Sequence, residues 1–67
     1  MDGVVIDFDD HRGLGTIEAD GRRHPFHCTA IADGTRTIEV GTPVSFTLAP
    51  GPLGRWEARD VGRRERS

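Results

Sequence analysis

Lysine is absent from this sequence, and all nine of its basic residues are arginine. Arginine is the better residue for gripping phosphate and stacking on bases. A GC-rich coding bias yields the same composition, so this absence alone assigns no partner. Cysteine is nearly missing too: Cys28 stands alone, which excludes an internal disulfide and any cysteine-rich metal knuckle. No apolar run approaches the ~20 residues of a membrane span. No charged-then-apolar leader opens the chain. These absences set the expectation of a soluble, cytoplasmic protein with no membrane partner, metal or other cofactor.

Helical periodicity is also lacking, since no stretch of ~10 residues carries apolar side chains at helix spacing. So is a basic balance. The net charge is −2 and the pI about 5.8, whereas a dedicated nucleic-acid module more often has a pI above ~9. The charge is unevenly spread. Residues 1–20 hold Arg12 against six carboxylates, for a net of −5. From Arg55 onward five arginines face Glu57, Asp60 and Glu65, for a net of +2.

What is present, over 67 residues, is a series of short β-type segments. At this size roughly 60% of the unfolded chain's surface can be buried, so one small domain is expected. Gly3 to Phe8 is β-branched and reads as a first strand. After a polar turn over Asp9–Arg12, the stretch Arg12-Gly13-Leu14-Gly15-Thr16-Ile17 reads as a second. Glycines at alternate positions of a strand mark tight bending or close backbone approach. Alternation sends Leu14 and Thr16 to one face and Ile17, with both glycines, to the other.

Asp20-Gly21 is a strong hairpin signal. It leads into a third strand, His24 to Cys28, with Phe26 inward and Pro25 suited to a sheet edge. Thr29 to Ala32 suits one helical turn capped by Thr29. Thr37 to Val40 reads as a short extended piece. Val44, Phe46 and Leu48 alternate toward the core, and Trp56 to Val61 forms the last strand, with Ala58 inward. The segment 62–67 holds no apolar residue and reads as an Arg-rich disordered tail, which leaves 1–61 as the folded domain. Five short strands separated by turn signals fit a small closed or partly open barrel.

Catalytic patterns do not assemble. His11, His24 and His27 with Asp9 and Asp10 show no ligand spacing typical of a metal site. Adjacent strand residues such as His27 and Cys28 point to opposite faces, which argues against a nucleophile–base couple. A non-enzyme is expected.

The glycine-spaced strand resembles the first ribonucleoprotein motif of the cold-shock domain, Lys-Gly-Phe-Gly-Phe-Ile/Val, with Arg12 in the basic place. The likeness runs from Gly3 to Val61. Gly3-Val4-Val5-Ile6-Asp7-Phe8-Asp9 is similar to the family's opening Gly-Thr-Val-Lys-Trp-Phe-Asn. His24-Pro25-Phe26-His27-Cys28-Thr29-Ala30-Ile31 lies without a gap over the second motif, Val-Phe-Val-His-x-Ser-Ala-Ile. Val40–Phe46 and Trp56–Val61 resemble the two later motifs. The resemblance implies an all-β, five-stranded antiparallel barrel of the oligonucleotide-binding (OB-fold) type. It also implies binding of single-stranded RNA or DNA, with bases stacked on aromatic rings.

Carried over by position, Phe8, Arg12 and His27 are retained. Asp7 stands for the family's tryptophan, Leu14 and Thr16 for the two phenylalanines of the first motif, and Pro25 for that of the second. Two readings follow. In one, the chain binds single strands weakly through Phe8, Arg12, Leu14, Thr16, His27, Arg55 and Trp56, with charge attraction from the tail. In the other, the barrel has lost nucleic-acid binding and serves as a protein-interaction module. Its acidic first third and the patch of Leu14, Thr16, Pro25 and Trp56 would then meet a protein partner. Phe8 has either a core or a platform role, and Trp56 either covers the barrel end or offers a stacking surface flanked by Arg55 and Arg59.

Overall fold

Five strands form in a computed structural model that describes residues 1–51 and 54–64. They are β1 (Asp2–Asp9), β2 (Leu14–Ala19), β3 (Arg22–His27), β4 (Pro43–Pro50) and β5 (Trp56–Arg63), with a 3₁₀ turn at Cys28–Ala30. All pair antiparallel in one sheet of order β3-β2-β1-β4-β5. The ends of the sheet approach one another where Ile31 makes a parallel bridge with Val61. Ala32 N–H donates to the Val61 carbonyl there at 2.8 Å. This is the partly open barrel expected from the strand pattern, and Pro25 lies on its β3 edge.

Local chemistry explains the turns and bends. Asp20 and Gly21 both adopt positive φ, 53° and 74°, the backbone that a two-residue hairpin turn demands. In β1, Val5 pairs with Ile17 but Asp7 with Thr16. Ile6 is therefore an extra, bulged residue, and Val5 and Phe8 both turn inward although three positions apart. A second irregularity lies between β4 and β5, where Asp60 takes φ 52°.

The core gathers Val5, Ile17, Phe26, Val44, Phe46 and Val61, together with Ala19, Ile31, Ile38 and Ala58. Phe26 and Ala58 face inward as expected, and Leu48 packs against the core while partly buried. His24 joins them. It is buried beside Phe46, ring centroids 5.7 Å apart. Among the described residues its Nε2 has no hydrogen-bond partner.

Three local expectations change. The cap of the 3₁₀ turn is His27, not Thr29, because the imidazole Nδ1 accepts the Thr29 N–H. Residues 37–40 form no strand, although Ile38 is buried. β5 runs on through Gly62 and Arg63, past the expected boundary at Val61, because Gly62 pairs with Ser45 and Arg63 with Val44. Arg63 also reaches the Asp33 carboxylate, the Thr35 hydroxyl and the Thr37 carbonyl, so the β3–β4 connection is clasped to β5. Residues 65–67 of the expected tail lie outside the described residues.

Candidate nucleic-acid interface

The bulge at Ile6 decides what the outer face of the sheet carries. By register, Asp9 lies beside Leu14 and Leu14 beside His27, while Asp7 lies beside Thr16 and Thr16 beside Pro25. Two cross-strand rows result, each acidic on β1, weakly apolar on β2 and imidazole or proline on β3. Neighbours in such rows are close enough to share one ligand.

Gly15 sits under these rows and faces inward. A Cβ there would lie 2.5 Å from the Phe26 ring and 2.8 Å from Phe8. Its glycine lets both rings press against the backbone of β2. Phe8 stacks on Phe26, centroids 5.9 Å apart with 15° between planes. Phe8 thus has a supporting position under the face, partly buried against the core.

The β1–β2 turn is built by Asp9. Its Oδ1 accepts the N–H groups of His11 (3.0 Å) and Arg12 (3.2 Å). Oδ2 lies 3.9 Å from Arg12 Nε, with the Arg12 side chain 74% exposed. A pair this open and this long holds Arg12 weakly, leaving its guanidinium able to reach a ligand. At the other end, His27 is exposed. Its Nδ1 accepts the Thr29 N–H at 3.2 Å and lies 2.9 Å from the Thr29 hydroxyl. A ring nitrogen that accepts a backbone N–H carries no proton in the neutral imidazole, so the N–H is on Nε2. That donor is available to a ligand.

Three depressions adjoin on this side. A shallow one of about 310 Å³ is bordered by Asp7, Asp9, Arg12, Leu14 and Thr16. Next to it, a more apolar groove of about 460 Å³ lies between Leu14, Pro25, Phe26 and His27 of β2–β3 and Gly51, Arg55 and Glu57 of the β4–β5 hairpin. A third, polar cleft of about 430 Å³ is lined by His27, Thr29, Glu57, Arg59 and Asp60, among others. The structure thus brings Arg12, Leu14, Thr16, His27 and Arg55 to one continuous track. Trp56 is 60% exposed at the start of β5 and lines none of the three. Glu57, not singled out from sequence, borders two of them.

Among the described residues, no three His, Cys, Asp or Glu side chains are placed to hold a metal. Cys28 Sγ lies 3.8 Å from His27 Nδ1, but that nitrogen already accepts from Thr29. The same sulfur packs against Gly13, where a Cβ would lie 2.8 Å from it.

The sheet-barrel is the architecture of the solved structure "drosophila Unr CSD456", which matches at a TM-score of 0.77 over 96% of this chain. The identity there is 23%, and the chain spans 26% of that longer one, so the likeness is one of fold. No protein-family model matches the chain. Curated relatives do. Cold shock protein CspB of Bacillus caldolyticus is 39% identical over 61 residues, covering 88% of this chain and 92% of its own. Cold shock-like protein CspB of Bacillus cereus is 39% identical over 56 residues, covering 81% and 86%. The chain belongs to the cold-shock protein family.

Proposed function

We propose that this protein binds single-stranded RNA or DNA, weakly and with low overall sequence preference, along the track from Arg12 to Arg55. The observation that carries this reading is the apolar groove of Leu14, Pro25 and Phe26, with the His27 Nε2 donor and the Arg55 cation at its border. Such a groove can hold bases while Arg12, beside the adjoining depression, meets phosphate. Each base stacked on an aromatic ring contributes ~1–3 kcal/mol, and here Asp7, Leu14, Thr16 and Pro25 occupy the resemblance's ring positions. Asp7 and Asp9 further reduce the counterion-release term. Trp56 and the Arg-rich C-terminal segment add contacts outside the groove. The role is that of a cytoplasmic, non-enzymatic protein that keeps RNA unstructured or tunes transcription or translation, with no cofactor.

The test is an electrophoretic shift with a short oligo-U and the Arg12→Glu variant. Reversing that charge weakens the shift; an unchanged shift would place the site elsewhere. A second reading, a protein-interaction module without nucleic-acid binding, draws on Asp7 and Asp9 beside the 47%-exposed Leu14. Under it, Asp7→Arg abolishes capture of a protein partner while no oligonucleotide binds.

A further inference from the structure

Glu57 is half-buried on β5 and borders both the apolar groove and the polar cleft. Its carboxylate rests directly against Gly51, where any Cβ would collide with it. Among the described residues this carboxylate, like that of Asp7 and unlike that of Asp9, makes no hydrogen bond and no ion pair. An ionised carboxylate is acceptor-only. A base lodged in the groove beside it is favoured when it presents N–H donors and disfavoured when it presents carbonyl oxygens.

From this we infer that Glu57 makes the groove selective for guanine at one position of the bound strand, over uracil or thymine. The inference rests on the nucleic-acid reading above. Guanine's Watson–Crick edge carries two adjacent N–H donors, on N1 and N2, which match the two carboxylate oxygens as a bidentate pair. Its O6 and N7 are acceptors, which the Arg55 guanidinium and the His27 Nε2–H can serve from the same groove. Leu14, Pro25 and Phe26 supply the apolar surroundings in which such bonds discriminate. Uracil and thymine offer one ring N–H between two carbonyls, so an oxygen is set against Glu57 and a polar group is left unpaired. Single-stranded bases are read on these edges because they are free of partners.

The experiment compares short fluorescent oligo-U with the same strand carrying guanine, or hypoxanthine, at its centre, by anisotropy at low salt. The guanine strand binds about tenfold more tightly than oligo-U, the order expected for one bidentate contact. Hypoxanthine, which lacks the N2 amino group, gives back part of that gain. Glu57→Gln, which presents a donor as well as an acceptor, brings oligo-U to within about twofold of the guanine strand. Equal binding of oligo-U and the guanine strand overturns the inference and leaves the nucleic-acid reading standing. So does a guanine preference that survives in Glu57→Gln. No binding by any strand overturns both.

Discussion

Phe8 and Phe26 stack at 5.9 Å over the bare Cα of Gly15, and this contact joins the core to the outer face of the sheet. Both aromatic side chains come from strands adjacent to β2, so the glycine between them fixes how closely the three strands pack. Gly15→Ala puts a methyl into the two rings, an overpacking that costs about 1–3 kcal/mol. Thermal unfolding measures it, and a variant as stable as the parent would show that the rings yield without loss.

His27 has two roles that substitution separates. Its Nδ1 caps the 3₁₀ turn through the Thr29 N–H, which leaves Nε2–H for the proposed strand. His27→Ala loses both, lowering stability by about 1 kcal/mol, the typical worth of a cap, and weakening oligonucleotide binding. His27→Asn keeps a capping oxygen and restores stability while binding stays weak. Denaturant unfolding and anisotropy on the two variants decide it; binding restored together with stability would leave His27 only a structural part.

Asp7 faces the track from β1 and hydrogen-bonds nothing among the described residues, unlike Asp9. Neutralising it by Asp7→Asn strengthens oligonucleotide binding by about threefold at low salt, and screening removes the gain at high salt. Anisotropy titrations at two ionic strengths measure both halves. Equal affinity at low salt would show that bound phosphates pass far from β1.

The Asp33 carboxyl is held below its ordinary value of 3.8 by the hydrogen bonds it accepts from the Thr35 N–H and hydroxyl, and then by the charge of Arg63. A carboxyl whose pKa is lower in the folded state stabilises the fold when ionised. The contribution is therefore complete above the unfolded value and is lost as the pH falls below 3.8. Urea unfolding at several pH values shows the gap between the parent and Asp33→Ala full near neutrality and closing in acid. A gap that widened in acid would contradict the assignment.

Much of the fold was legible because alternation and turn chemistry act over neighbouring residues. Asp20-Gly21 announced its hairpin, and Val44, Phe46 and Ala58 their inward faces. Alternation with Phe26 also marks His24 as inward, a signal that its polar ring obscures. The ends of elements were less legible, since partners far along the chain set them. β5 reaches Arg63 because Val44 pairs with it and Asp33 holds its guanidinium. The bulge at Ile6 has no signature among Val4, Val5 and Ile6, yet it is what turns Asp7 outward and Phe8 inward. Within the track, Arg12, Leu14, Thr16 and His27 followed from motif spacing. Glu57 did not, because a glutamate on the outer face of an edge strand looks like any solvated charge. Only the folding of the β4–β5 hairpin over β3 places it beside Leu14 and Pro25.

The most direct measurement is anisotropy of a short fluorescent oligo-U titrated with the protein at two salt concentrations. Binding is expected to be micromolar at low salt, falling with a log–log slope of about −0.7 for each phosphate contacted. An absent isotherm at low salt would contradict it, and the acidic, apolar face would then belong to a protein partner.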